Sequence, residues 1–279
     1  MTFGISTHLY HGARLDRDHL VEIAAHGFET VEIFATRTHF DYHDDRAIAE
    51  IADHLTDTGL RLHSLHAPIT DGLRDGEWGA SYSIATSDDR ARRFAVEETA
   101  VSIRAAHRLG ARVVVLHPGV PSSLQSDPRD NRVDAAIRSV EELHAVAEPL
   151  GVGLALEVIP NQIADAPDLV GLIEDRLELS GVGICLDTGH ALILGDVADA
   201  VETASGHLVT THLHDNRGKT DDHLLPFQGA IDWPAVLMAF RKVGYDGVWM
   251  FELAALDAPR RVLEQAQHAR RKMEALLSA

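Results

Sequence analysis

Cysteine and lysine are both scarce in this chain of 279 residues. Its single cysteine, Cys185, excludes an internal disulfide and fits a reducing compartment. Only three lysines contribute to 25 basic residues, which face 43 acidic ones, and the formal net charge is -18. Such a chain repels a nucleic-acid backbone at long range and has no basic stripe that could release its counterions. We therefore expect no nucleic-acid partner.

Long apolar runs are also missing. None reaches the roughly 18 residues that a membrane span requires. The first residues, MTFGISTHLY, lack the basic segment and apolar core of a secretory signal. These absences predict a cytoplasmic protein with no membrane partner. The hydrophobic fraction of 45% is still enough for a full core, and an α/β barrel commonly uses about 250 residues as one domain.

One pattern repeats along the chain. A helical stretch ends in glycine, a β-branched run follows at once or after a few residues, and a polar residue closes the run. Glycine suits the left-handed residue just past a helix end, so each instance predicts a short helix-to-strand turn. With Phe3 to Ser6 as the first strand, eight strands are predicted. The other seven are ETVEIF after Gly27, LRLHSLH after Gly59, ARVVVLH after Gly110, VGLALE after Gly151, VGICLD after Gly181, HLVTTHLH after Gly206 and YDGVWMFE after Gly244.

Amphipathic helices are predicted between these strands. For example, Ile48, Ile51 and Leu55 recur at helical spacing on one face. Short buried strands that alternate with helices imply parallel strands and right-handed crossovers. A doubly wound open sheet is the competing fold, but no GxGxxG follows the first strand. We therefore predict an α/β fold, a (β/α)8 TIM barrel that spans residues 1–279 as a single domain.

The two kinds of loop differ in length. Helix-to-strand turns are short, whereas the strand-to-helix loops Ala67–Ser87 and Pro118–Asp130 are long and rich in Gly, Pro, Ser and Asp. Loops that follow the strands form the functional face of a TIM barrel. Trp78 and Tyr82 are therefore candidates for a lid over a ligand, with simple packing within the loop as the alternative.

Ligand-type side chains stand at or just after consecutive strand ends. In a barrel these positions share one rim, where several converging carboxylates would repel one another without a cation. Histidine and carboxylate oxygens are ligands for zinc, manganese and similar ions. The pattern therefore predicts a divalent metal site. The nine residues are His66, His117, Glu157, Asp187, His190, His214, Asp221, His223 and Glu252.

Several neighbouring residues have less certain roles. His212 leaves its strand on the same side as His214 but one step deeper, so we interpret it as support behind the site or as barrel filling. Glu32, at the end of strand two, either reaches the site or makes a structural hydrogen bond. Arg217 and Lys219 are candidates for binding an anionic or hydroxyl-rich substrate group, and Trp78 is a third substrate-binding candidate.

The order of the motifs resembles the xylose isomerase-like TIM-barrel superfamily over essentially the whole chain. That superfamily contains sugar (phosphate) isomerases and epimerases, inosose dehydratases and the endonuclease IV type of DNA-repair enzyme. Each motif alone is weak, but the series is specific. The motifs are LHAP at 65–68, LHPG at 116–119, LALEV at 154–158, CLDTGH at 185–190, HLHDNRG at 212–218, DDH at 221–223, GAIDW at 229–233 and FELA at 251–254.

The resemblance implies a metal-ligand set. Epimerase-like members hold one divalent ion with Glu, Asp, His and Glu, which correspond to Glu157, Asp187, His214 and Glu252. Endonuclease IV uses three zinc ions, and its further ligands correspond to His66, His117, His190, Asp221 and His223. The ion count, one or up to three, stays open, as does the choice among manganese, zinc, cobalt and magnesium. Many relatives have a Gly-Glu-Gly-like turn before Ile-Asp-Trp, where this chain has only Gly229 after Phe227 and Gln228.

The function implied is isomerisation or epimerisation of a sugar, a sugar phosphate or a related polyol-ketone. Glu157 and Glu252 are the predicted acid/base pair, passing a proton through an enediolate that a divalent metal stabilises as a Lewis acid. The alternatives are an inosose dehydratase-like lyase, which starts with the same proton abstraction, an endonuclease IV-like phosphodiester hydrolase, and a catalytically idle sugar-binding barrel. The partner expected is a small carbohydrate, and homo-oligomerisation stays open.

Overall fold

The computed structural model describes residues 1–125 and 127–278. Its strands within these residues divide into eight that close a parallel barrel and two that form a small antiparallel hairpin. Around the barrel the order is β1, β10, β9, β8, β7, β6, β3, β2. The strands are β1 (Thr2–Ser6), β2 (Thr30–Phe34), β3 (Arg61–His66), β4 (Leu73–Arg74), β5 (Glu77–Trp78), β6 (Val113–Leu116), β7 (Gly153–Glu157), β8 (Val182–Asp187), β9 (Leu208–Leu213) and β10 (Val248–Phe251).

Helices surround this barrel. They are α1 (Arg17–Ala25), α2 (Asp45–Thr58), α3 (Asp89–Leu109), α4 (Val133–Ala147), α5 (Ala166–Leu172), α6 (Thr188–Leu194), α7 (Val197–Thr203), α8 (Trp233–Lys242) and α9 (Pro259–Ser278). Short 3-10 turns follow β1 (Thr7–Tyr10) and α4 (Glu148–Leu150), and a π-helical turn (Ile173–Leu177) extends α5. The predicted single-domain (β/α)8 TIM barrel is confirmed, with all eight predicted strands in the barrel.

Local sequence explains where these elements begin and end. Helices α2 and α3 both end at a glycine in the left-handed region, Gly59 (φ 70°) and Gly110 (φ 78°), which lets the chain turn directly into the next strand. Asp165 and Asp232 cap α5 and α8, where each accepts a backbone N–H of the first turn. Short turns of this kind place the next strand immediately beside its neighbour.

The core has one layer between the helices and the barrel and a second layer inside the barrel. Apolar helix faces cover the outside of the barrel, and Cys185 packs inside it with Val113, Val115 and Ala155, as expected for a core thiol. The barrel interior also contains polar side chains that are fully buried, including Glu32, Ser64 and His212. The register of β2 against β3 shifts at Glu32. Within the part of the chain that the structure describes, no helix has the length and apolarity of a membrane span.

The long loops lie where the barrel strands end. The loop after β3 contains the β4–β5 hairpin, which carries Trp78. The second predicted long loop, Pro118–Asp130, includes residue 126, which lies outside the described residues. Ligand-type side chains therefore share this face with both loops, as the sequence predicts.

Candidate metal centre

Four ligand-type residues from four neighbouring strands converge at the centre of the rim. Glu157, Asp187, His212 and Glu252 each offer one atom, and these atoms lie within 4.8 Å of one another. The imidazole Nδ1 of His212 is central, at 3.1 Å from Glu157 Oε1, 3.5 Å from Glu252 Oε2 and 3.9 Å from Asp187 Oδ2. All four side chains are buried. Three carboxylates thus surround one ring nitrogen, a donor set suited to a divalent cation.

The structure differs from the sequence-based expectation in the histidine of this set. We expected His214 beside the carboxylates and His212 behind them, but His212 is the residue that faces all three. His214 lies just past the end of β9, and its Nε2 is 2.9 Å from Asp187 Oδ2. Its ring stacks on His223, with the centroids 4.1 Å apart. The geometry therefore favours His212 for the central set and places His214 in an adjacent group.

A second donor group adjoins the central one through Glu157. The Nε2 atoms of His66 and His117 lie 3.2 Å and 3.1 Å from Glu157 Oε2. The other oxygen of Glu157 faces His212, as described above. One carboxylate, Glu157, therefore belongs both to the group with His66 and His117 and to the central set.

A third group adjoins the central one through Asp187, which faces His214. The Nε2 atoms of His190 and His223 lie 3.0 Å and 3.1 Å from Asp221 Oδ2, and His214 Nε2 lies 3.7 Å from Asp221 Oδ1. His214, Asp221 and His223 meet the same 4.8 Å criterion as the other groups. All nine predicted ligand-type residues therefore lie together at one rim, and His212 is a tenth residue of the same cluster.

Charge at the rim is balanced by histidine. None of the carboxylates Glu157, Asp187, Asp221 and Glu252 forms an ion pair with a Lys or Arg within the described residues. Burial opposes ionisation of Glu157, but the histidines around it lower its pKa well below the usual value. Burial likewise opposes protonation of His212 and His190, yet negative neighbours raise both pKa values well above normal.

These residues fit a divalent cation. Without an ion, buried protonated histidines must supply the positive charge that the carboxylates need, whereas a metal ion supplies it while binding the same atoms. The buried Nδ1 of His214 has no hydrogen-bond partner among the described residues, whereas its Nε2 faces Asp187 Oδ2. The donor types therefore suit zinc, manganese or cobalt.

A cavity of about 290 Å³ opens above the centre. Glu157 and Glu252 line it, whereas the buried Asp187 and His212 do not. Its opposite wall is aromatic. The indole of Trp78 stacks on His11, His11 stacks on His8, and His8 stacks on His223, with centroid distances of 5.2, 4.6 and 4.7 Å.

Sequence reasoning did not identify His8 or His11. His8 lies in the 3-10 turn that follows β1 and His11 directly follows that turn, and Phe34 at the end of β2 packs edge-on against His8. The rule applied to the other strands, that polar residues just after a strand end face the site, also covers His8. Burial and the nearby His223 lower the pKa of His8 well below its usual value, so its ring is neutral at pH 7.

Of the three substrate-binding candidates, one lines the cavity and two do not. Trp78 lines the cavity, with 44% of its surface exposed, and is positioned to cover a ligand. Arg217 and Lys219 are both exposed and do not line it. Arg217 is 3.8 Å from Asp222 on the outer surface. Tyr82, the other lid candidate, packs against Phe94 outside the cavity.

Asp215 holds the loop that carries Asp221 and His223. Its buried carboxylate accepts N–H groups from Asn216, Phe227, Ile231 and the Trp233 indole, at 2.9 to 3.2 Å. Phe227, where many relatives have a glycine-rich turn, adopts the left-handed region at φ 73°. Gly229 has no room for a side chain, because a Cβ there would lie 2.2 Å from Asn216 O. The loop is thus fixed by Asp215 despite its departure from the common turn.

Comparison with known proteins identifies sugar-processing relatives. The chain is 30% identical over 258 residues to a protein of Methanocaldococcus jannaschii, covering 90% of this chain and 83% of the relative. It is 25% identical to a D-psicose 3-epimerase of Enterocloster bolteae, covering 85% and 76%. It is 24% identical to an inosose isomerase of Bacillus velezensis, covering 82% and 79%.

Two solved structures share the fold of this chain over its whole length. The crystal structure of a D-tagatose 3-epimerase-like protein superimposes with a TM-score of 0.81 at 26% identity and covers 100% of this chain and 98% of its own. The IOLI protein with a bound zinc atom shares the fold, with a TM-score of 0.76 at 20% identity, 100% coverage of this chain and 98% of its own. The model of the xylose isomerase-like TIM barrel matches residues 20–276. The chain therefore belongs to the xylose isomerase-like TIM-barrel family.

Proposed function

We propose that this protein is a divalent-metal-dependent isomerase or epimerase of a small sugar or polyol-ketone. The observation that carries the proposal is the division of roles in the central set. Glu157 and Glu252 line the cavity, whereas the buried Asp187 and His212 do not. Two carboxylates of the central set are thus accessible to a substrate. Asp187 and His212 can hold an ion without touching the substrate. Relatives named as epimerases and isomerases support this reaction class.

The four residues of the central set would hold the ion, whose chemistry is to polarise a substrate carbonyl as a Lewis acid. Glu157 and Glu252 approach His212 Nδ1 from two different strands, so they can face a substrate from two directions. One carboxylate removes the proton from the carbon beside the carbonyl, and the other returns a proton to the neighbouring carbon or to the opposite face. His66 and His117 hold Glu157 Oε2, which fixes the direction of that carboxylate.

The cavity walls support a compact, hydroxyl-rich substrate. Trp78 and Phe34 offer apolar ring faces against which the C–H face of a sugar can pack. His8 and His11 lie beside them, and each ring uses Nδ1 toward a backbone carbonyl, which leaves Nε2 for a substrate hydroxyl. No Lys or Arg lines this cavity in the described chain. These features favour an unphosphorylated sugar over a sugar phosphate.

A second candidate function is metal-dependent phosphodiester hydrolysis. The observation in its favour is the set of adjoining and overlapping donor groups, which would suit clustered ions that polarise a phosphate. The net charge of -18 opposes capture of DNA, although it does not oppose a small phosphodiester as strongly. A lyase of the inosose dehydratase kind would use the same carboxylates for its first proton transfer.

The experiment that separates these functions is a product analysis with metal-loaded protein. The panel contains free ketohexoses, their phosphates, an inosose and bis-p-nitrophenyl phosphate, each analysed by chromatography and NMR. We expect interconversion of a free ketose or inosose with no loss of water and no release of nitrophenol. Arg217→Ala, which lies outside the cavity, is the matched control and should retain turnover. Nitrophenol release without any sugar conversion would replace this proposal by the hydrolase.

A further inference from the structure

His212 connects the central set to a carboxylate deeper in the barrel. Its Nδ1 faces Glu157, Glu252 and Asp187, as described above, and its Nε2 lies 3.1 Å from Glu32 Oε2. Ser64 donates its hydroxyl to the same oxygen of Glu32 at 2.8 Å. Glu32, Ser64 and His212 are all fully buried. The imidazole is therefore held between carboxylates at both of its nitrogens.

This geometry determines the tautomer of a metal-bound His212. An imidazole nitrogen binds a metal through its lone pair, so a ring that uses Nδ1 as the ligand must carry its proton on Nε2. That proton points at Glu32, the acceptor at 3.1 Å. An anionic acceptor in this position fixes the orientation of the ring and increases the electron donation of the ligand nitrogen.

The surroundings of Glu32 argue against a purely structural role. A buried carboxylate is costly unless it is paired, and no Lys or Arg in the described residues pairs with Glu32. Its Oε1 atom has no hydrogen-bond partner among the residues that the structure describes. The register shift of β2 against β3 falls at Glu32, the position from which its side chain reaches His212. A glutamine here would satisfy the same Ser64 hydroxyl without the cost of a buried charge.

We infer that Glu32 is a positioning residue of the metal centre, which orients His212 and strengthens its Nδ1 as a ligand. The inference rests on the proposed metal centre, with His212 as its histidine ligand. It does not depend on which sugar is the substrate, nor on whether the protein is an isomerase or a hydrolase.

The test is a cobalt titration of metal-free protein, followed by visible absorption and by competition with a chelating dye. The binding step that is present in the unmodified protein and lost in His212→Ala is the one that belongs to the central set. We expect Glu32→Ala to weaken that step by about 10- to 100-fold, the usual effect of losing an outer hydrogen-bond partner. Glu32→Gln keeps an acceptor for the Nε2 proton but loses the charge. It should therefore weaken binding less and shift the cobalt absorption bands.

Glu98→Gln is the matched control. Glu98 is also a buried carboxylate with two side-chain partners, Tyr42 at 2.7 Å and His43 at 3.0 Å, but neither belongs to the site. It should lower stability and leave cobalt affinity unchanged. Because Glu32→Gln is nearly isosteric, it remains informative if Glu32→Ala does not fold.

Two results would contradict the inference in distinguishable ways. Wild-type affinity and spectrum in every folded Glu32 variant, together with loss of the step in His212→Ala, would overturn the role of Glu32 and leave the metal centre intact. Absence of any cobalt binding by the unmodified protein would overturn the metal centre and this inference together. Neither readout requires turnover of a substrate.

Discussion

His212 lies in β9 and His214 directly follows that strand, yet their rings serve different donor groups. His212 Nδ1 lies 3.1 Å from Glu157 Oε1, whereas His214 Nε2 lies 2.9 Å from Asp187 Oδ2 and its ring stacks on His223. Asp187 thus lies between the two histidines. This arrangement assigns His212 to the central set and His214 to the group with Asp221 and His223, and it determines what each substitution should do.

Replacement of His212 and replacement of His214 should therefore change the metal content in different ways. Protein purified without chelator should contain at least one tightly held divalent ion per chain, because four buried donors converge on one position. His212→Ala should lose this ion, and His214→Ala should retain it while losing any ion held with Asp221 and His223. Elemental analysis of the three proteins checks this. Less than about a tenth of an equivalent in the unmodified protein, with no rebinding of added zinc, manganese or cobalt, would contradict the central set.

Glu252→Gln and Glu157→Gln should both abolish most turnover. Each change keeps the shape and one oxygen but removes the base, and general base catalysis typically contributes about 10² to 10⁴ in rate. The loss should be measured at saturating metal, with circular dichroism to check folding. Asp222→Asn, which alters a carboxylate on the outer surface, is the control. Near-normal turnover by both fully metallated variants would make these residues ligands only, and His190 would be the next residue to test.

Duplex DNA that contains an abasic site should not be incised. The net charge of -18 opposes capture, and the ligand-rich rim adds no basic surface. The measurement is gel analysis of a labelled duplex with metal-loaded protein at physiological salt. Incision that His117→Ala abolishes would show that the second donor group serves phosphodiester hydrolysis, and the isomerase proposal would then fail.

His39 should make the stability of the fold depend on pH. It is buried against Thr7 and the Ala13 carbonyl, and burial lowers its pKa from 6.5 to about 4. A folded-state pKa below the unfolded value means that the contribution is complete above pH 6.5 and is lost as the pH falls toward 4. Between pH 7.5 and 4.5 this amounts to about 2 to 3 kcal/mol.

Urea denaturation at the two pH values checks the contribution of His39. His39→Gln should be less stable at pH 7.5 but should show a smaller fall in unfolding free energy on acidification. His268→Gln, at an exposed position on α9, should keep the full fall. An unchanged pH difference in His39→Gln would show that other groups account for the acid sensitivity.

The barrel could be predicted because its signals are local. Gly59 and Gly110 end helices at a fixed distance before β-branched runs, and topology then brings consecutive strand ends to one rim. All nine ligand-type residues could be located there from the sequence. Their grouping could not, because His212 and His214 differ only in depth. Which of the two rings meets the carboxylates depends on where β9 ends and on the contact between His212 and Glu32. These two residues are 180 positions apart in the sequence.

Loop residues were harder to place for a related reason. The charges of Arg217 and Lys219 do not indicate which way their loop folds, and Asp215 fixes that loop through backbone N–H groups that no side-chain pattern marks. His8 follows the end of β1, where the strand-end rule covers it, but the 3-10 turn that contains it has no strand-like or helical period of its own. Residues of this kind are positioned by tertiary contacts rather than by local propensity.

Solvent deuterium exchange tests the central claim most directly. Metal-loaded protein is incubated in heavy water with the ketose or inosose that it converts, and NMR follows the carbon beside the carbonyl. Proton transfer by Glu157 and Glu252 predicts deuterium at that carbon, loss of exchange after metal removal and its return when metal is added back. Substrate conversion without deuterium at that carbon, or exchange that persists in fully metal-free protein, would contradict the account.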